Sequence, residues 1–119
     1  MRGISKTLLF PALLLLASCG GAGPNDTKAI ERAVGEDATL QLGQQVFQTN
    51  CARCHGSTGA GLSGPSLHGE AFVTRFPIEE DQIIWITRGG GAMPGFGTSL
   101  DEKEIEAVRR FANEILGDL

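Results

Sequence analysis

Cys51-Ala52-Arg53-Cys54-His55 sets two thiols three residues apart and an imidazole directly after the second. At helical spacing the thiols lie on nearly one face of a turn, and the histidine points to one side of a plane held between them. A thioredoxin-like dithiol needs a βαβ surround, which the neighbouring sequence does not offer. A zinc site needs four Cys or His ligands, and beyond these three only His68 remains. A plain disulfide leaves the adjacent histidine without a purpose. Haem c uses all three groups: both thiols add across its vinyl groups as thioethers, and His55 gives the proximal nitrogen to iron.

The iron then needs a sixth ligand or keeps an open position. Apart from the initiator, the only methionine is Met93, 38 residues after His55, in Gly89-Gly90-Gly91-Ala92-Met93-Pro94-Gly95-Phe96-Gly97. Three glycines before it and two soon after let the backbone pass close to a flat macrocycle, and Pro94 stiffens the loop. A lone methionine is more often core filler. Its place in this loop makes Met93 the expected ligand. His68 is expected to be a structural or surface histidine.

From about Leu40 to Leu116 the chain resembles the small class I c-type cytochromes, which bind one haem. The resemblance rests on Cys51–His55 with Gly56, on Gly64-Pro65-Ser66-Leu67 with Gly69, and on Met93-Pro94 ahead of a final helix. It implies an all-α, cytochrome c-like fold wrapped around one covalent haem c, with His55 and Met93 on iron. It also implies that the Pro65 carbonyl accepts a hydrogen bond from His55 Nδ1–H. Terminal helices that cross through a small residue and aromatics are implied too, and Gly43, Phe47 and Phe111 match that pattern.

The helices are legible in outline. One is expected from about Ala38 to Asn50 with Asp37 as its cap, Leu42, Val46 and Phe47 forming a face. A shorter one is expected from Ile78 to Arg88, opened by Glu79, Glu80 and Asp81 and stopped by Gly89. The last is expected to begin at Ser99-Leu100-Asp101-Glu102, which fits a capping box, with Ile105, Val108, Ala112 and Ile115 at helical spacing. Trp85 and Arg88 are candidates for contacts to haem propionates, beside the plainer readings of core aromatic and solvated arginine. Nothing alternates as a strand.

At the N-terminus, Arg2 and Lys6 precede the apolar run Leu8–Leu16, which is short for a membrane span and has the layout of an export signal. Leu16-Ala17-Ser18-Cys19 resembles the lipobox of bacterial lipoproteins. That resemblance implies cleavage before Cys19 and a lipid anchor on its sulfur and amino group. Gly20 in place of an aspartate favours the outer membrane, facing the periplasm. The expected division is a signal over 1–18, a lipidated cysteine with a flexible tether over 19–36, and the haem domain over 37–119. Ala29-Ile30 and Ala33-Val34 within the tether are candidates for a short helical piece.

The chain has 119 residues, too few for a multidomain enzyme, and its 10 Lys+Arg against 14 Asp+Glu give a formal charge of −4. Loss of 1–18 removes Arg2 and Lys6 and no acids, leaving 8 bases against 14 acids, or −6. That balance speaks against nucleic acid as a partner and suits redox proteins with basic docking surfaces. An iron ligated by both His55 and Met93 has no position for a small-molecule substrate, so the expected role is one-electron transfer. The alternatives are a small-gas sensor or accessory redox subunit, and a peroxidase-like enzyme, for which no acid–base group clusters beside Met93.

Overall fold

The structure, a computed structural model, describes residues 24–119. The expected signal over 1–18 and the lipidation candidate Cys19 lie outside the described residues. Six helices follow in order: α1 Pro24–Val34, α2 Ala38–Asn50, α3 Ala52–His55, α4 Glu70–Val73, α5 Glu79–Arg88 and α6 Glu102–Arg110, which runs on as a π-wound segment, Phe111–Leu116. Among the described residues there is no strand, only an isolated bridge between Gly90 and Met93. None of these helices is long and apolar enough to cross a membrane.

Helix α2 starts where a side chain satisfies its free amides. Asp37 Oδ1 accepts from the N–H of Thr39 at 2.8 Å and of Leu40 at 3.0 Å. Its inner face is Leu40, Gly43, Val46 and Phe47. Helix α6 has a capping box, displaced by two residues from the expected one. Asp101 Oδ1 accepts from Glu104 N–H and Glu104 Oε2 accepts from Asp101 N–H, each at 2.9 Å. Ser99 is unavailable for that role because its hydroxyl turns back to the Phe96 carbonyl at 3.2 Å. The carboxylate two residues on accepts more strongly and complements the helix dipole.

Among the described residues, the crossing of α2 with α6 is the most extensive helix contact. A Cβ on Gly43 would overlap the Ala107 carbonyl and Phe111 Cβ, so only glycine allows the backbones this close. Phe47 and Phe111 meet beside it with ring centroids 5.5 Å apart. Phe47, Phe111 and Leu116 are the largest fully buried side chains.

The flexible tether expected over 19–36 is corrected for most of its length. Pro24–Val34 is helical and packs on α2 and the Phe111–Leu116 segment. Ile30 and Val34, one helical turn apart, join the core at 2% and 4% exposure. Burying two such side chains contributes roughly 3–6 kcal/mol. That suffices to order an 11-residue helix that would be marginal alone.

Two polar contacts fix α5 to the C-terminal helix. Gln82, 3% exposed, exchanges amide hydrogen bonds with Asn113 at 2.7 and 3.2 Å. Arg109, 5% exposed, holds Glu106 through two bonds of 2.8 and 2.7 Å and reaches Glu79 on α5 at 3.4 Å.

Candidate functional site

Between α2, α5, α6 and the loops that join them lies a cavity of about 680 Å³. Its walls are mostly apolar, with Phe47, Phe72, Phe76, Trp85 and Ile86 prominent. Cys51, Cys54, His55, Pro65 and Met93 all line it. The sequence separates the two ends of this set by dozens of residues, and the fold brings them to one space.

Cys51 closes α2 and starts the short turn of α3, where the backbone N–H groups of Cys54 and His55 donate to Cys51 C=O at 3.1 and 3.0 Å. The two thiols are half-buried and free, not joined to each other. Burial pushes the Cys51 thiol up to about 11, with the neighbouring Cys54 adding to the rise. It is therefore protonated at neutral pH.

His55 is buried, and its Nδ1 lies 2.8 Å from the Pro65 carbonyl oxygen. A carbonyl only accepts, so Nδ1 carries the hydrogen and the lone pair is left on Nε2. The loop after α3 is pinned to make this contact. Gly61 N–H bonds His55 C=O at 2.7 Å and Gly64 N–H bonds Cys54 C=O at 2.8 Å. A Cβ on Gly64 would come within 3.0–3.1 Å of the imidazole, so glycine lets the loop lie against the ring.

The methionine loop is as closely held. Gly90 and Met93 exchange backbone hydrogen bonds of 3.0 Å, closing a tight turn around Gly91. Phe96 and Gly97 then bond back to Ile86 and Thr87 of α5, also at 3.0 Å. Trp85 is the floor of the turn: a Cβ on Gly90 would overlap its ring.

His68 also lines the cavity, but its Nε2 donates to the Thr58 carbonyl at 2.7 Å. The bond accounts for it as a structural histidine. It also removes the fourth ligand a zinc reading would need. Among the described residues no three His, Cys, Asp or Glu side chains gather into a metal cage.

The two propionate candidates part company. Trp85 lines the cavity, whereas Arg88, at the end of α5, does not. The arginine that does, besides Arg53, is Arg75, whose guanidinium lies 5.7 Å from the ring centres of both Phe76 and Trp85. Arg88 follows Trp85 by three residues and shares its helix face in the sequence. Arg75 reaches the same ring from the segment after α4, a neighbourhood no spacing reveals.

Two thiols on one side of an apolar chamber, an imidazole with Nε2 free, and a thioether on a glycine-lined loop match the donor set that covalent haem requires. Residues 38–111 match the family described as "Cytochrome C oxidase, cbb3-type, subunit III". The chain is 38% identical over 108 residues to cytochrome c-551 of Bacillus subtilis (strain 168), covering 88% of each. It is 33% identical over 115 residues to a cytochrome c6 of Picosynechococcus, covering 89% of this chain and 91% of that one. It belongs to the class I monohaem c-type cytochromes. Solved structures agree. Cytochrome c6 of the diatom Phaeodactylum tricornutum superposes with a TM-score of 0.53 at 33% identity, over 61% of this chain and 88% of that one. Cytochrome CL of Methylophaga aminisulfidivorans superposes with a TM-score of 0.60 at 20% identity, over 75% and 68%, a likeness of fold. The members of this family are small electron carriers with one covalent haem c, and Cys51 and Cys54 fit its attachment motif. This cytochrome is accordingly an electron-transfer protein.

Proposed function

We propose that this cytochrome is a lipid-anchored one-electron carrier that ligates its haem iron through His55 Nε2 and the Met93 thioether. The observation that carries the reading is the gathering of both thiols, His55 with Nδ1 engaged, and Met93 around one apolar cavity. Haem c supplies the one-electron ferric/ferrous couple.

Cys51 and Cys54 hold the group covalently. The Pro65 carbonyl fixes the His55 ring and raises its basicity. Met93 is a softer, weaker donor to ferric iron than a second imidazole, so it favours the reduced form. The aromatic walls exclude water and act in the same direction, since the oxidised state carries the extra charge. Arg75, stacked on Trp85, is the propionate partner, with the Trp85 indole beside it, and Arg88 is relieved of that role. At the N-terminus, 1–18 is the export signal and Cys19 the lipidated residue, holding the domain at the periplasmic face of the outer membrane. With −6 formal charges from Cys19 onward, the chain attracts basic redox partners at long range.

Met93→Ala tests the ligand. In the ferric protein the methionine–iron charge-transfer band disappears, the reduction potential falls, and the ferrous form binds carbon monoxide at once. An unchanged potential refutes the assignment. Stoichiometric carbon monoxide binding by the unaltered ferrous protein would favour gas sensing instead. For the anchor, Cys19→Ser releases a soluble cytochrome, whereas continued membrane retention removes the lipid from the account.

A further inference from the structure

The one buried residue of α5 is a glutamine. Trp85 and Ile86 turn to the cavity and Ile84 is exposed, so no aliphatic side chain of this helix is buried in the core. Glutamine is seldom so enclosed, and Gln82 is enclosed against another amide. It and Asn113 each give the other an N–H and a carbonyl, at 3.2 and 2.7 Å. Three residues before Gln82, Glu79 meets Arg109, four residues before Asn113, at 3.4 Å. The two helices therefore join along a short polar seam. Asn113 stands where the C-terminal helix is π-wound, with Gly117 N–H bonded to Ala112 C=O, five residues back, at 2.9 Å. Such winding is rare and recurs at functional sites.

An apolar pair would fill the same space without desolvating two amides. What the amide pair adds is register. Its bonds form at one setting of the two helices, whereas facing leucines tolerate sliding. That setting bears on Met93, because the loop that carries it is fastened to both helices. Phe96 and Gly97 bond back to Ile86 and Thr87, and a Cβ on Gly95 would overlap the Arg88 carbonyl, so the loop lies directly on α5. Past Ser99 and Leu100 it enters the Asp101 cap of α6. If α5 slipped along the C-terminal helix, Met93 would move with it. His55, on the turn that continues α2, would stay behind.

We infer that Gln82 and Asn113 are positioning residues for the haem iron: their amide exchange sets the register of α5 on the C-terminal helix and so holds the Met93 thioether where the axial bond forms. This rests on the reading of Met93 as the ligand.

Imidazole entry into the ferric holoprotein tests it. An imidazole nitrogen bonds the iron as the Met93 sulfur leaves, with no change of oxidation state. At saturating imidazole the limiting rate is the rate at which Met93 lets go. The Gln82→Leu/Asn113→Leu variant removes both amides and strands neither. Its urea midpoint stays near that of the parent, while the limiting rate rises about tenfold. Ile30→Ala on α1 does the reverse: the midpoint falls and the limiting rate stays within about twofold of the parent. A double variant that also stays within about twofold overturns the proposal, since two leucines then place Met93 as well as the amides do. Should that variant fail to fold, Asn113→Ala at its half-buried position decides. A rise of about tenfold supports the proposal, and a rate no higher than that of Ile30→Ala overturns it. Failure of the ligand reading looks different: the methionine–iron band is missing from the parent itself. Amide hydrogen exchange at Phe96 and Gly97 then decides the seam. Exchange about tenfold faster in the double variant supports control of the loop by register, and equal exchange overturns it.

Discussion

The α2–α6 crossing and the two glycine loops that close the cavity are held by different forces. The crossing is side-chain burial: Phe47 and Phe111 against each other, Leu116 beneath, and a glycine where the backbones touch. The loops at 56–69 and 89–97 put little side chain into the core. They hold by backbone bonds to α3 and α5, such as Gly64 N–H to Cys54 C=O and Phe96 N–H to Ile86 C=O. A hydrophobic crossing carries its own stability, while a backbone-held loop depends on what it folds around. The scaffold is therefore expected to survive loss of the haem, and the ligand loops to loosen.

The largest effect is expected at the crossing. Phe111→Ala removes a ring of 0% exposure that no neighbour can replace, at a cost of about 3–5 kcal/mol. Urea unfolding followed by far-ultraviolet circular dichroism should register that loss with haem bound and with haem absent alike. If the variant and the parent unfold together once the haem is gone, the crossing is not the independent element described.

A smaller and more local effect is expected at Gly89. Its φ is +75°, and a Cβ there would crowd the Met93 carbonyl and Pro94. Gly89→Ala should cost about 1–3 kcal/mol, because a φ of +75° with a ψ of 177° is a backbone conformation essentially reserved for glycine. The same change should weaken the methionine–iron band and leave the circular dichroism of α2 and α6 in place. A stability loss as large as that of Phe111→Ala, with the band intact, would erase the distinction between the two regions.

The same contrast governs how much the sequence disclosed. Helix α2, its Asp37 cap and the Gly43–Phe47–Phe111 contact were legible because caps and helical periodicity are local signals. The Cys51–His55 motif and the Met93 loop were legible because chemistry fixed their spacing. The misses all involved a choice between neighbours or a contact across the chain. Ser99–Glu102 and Asp101–Glu104 both fit a capping box, and the backbone turn at Phe96 decided between them. Arg75 reaches Trp85 from another segment, and Gln82 finds Asn113 31 positions away. Helix α1 looked like a tether because only Ile30 and Val34 anchor it, amid small and polar residues.

The smallest expected effect lies at the outer edge of the crossing. Asp37 caps α2 and also meets Arg110 of α6 at 3.3 Å, tying the two helices at the surface. The N–H of Leu40, then that of Thr39 and the Arg110 charge, hold its carboxyl below the ordinary 3.8 despite some desolvation. A depressed carboxyl stabilises the fold above its ordinary value, and that contribution is lost as pH falls through the lower folded value. Asp37→Asn still caps but does not titrate, so the gap in urea midpoint between parent and variant should be widest near neutrality and close below about pH 4. Glu106, also depressed by its bond to Arg109, titrates in both proteins, so acid should weaken the variant too. A gap that stays constant across pH would mean that the cap acts through geometry alone and that the charge on Asp37 adds nothing to the crossing.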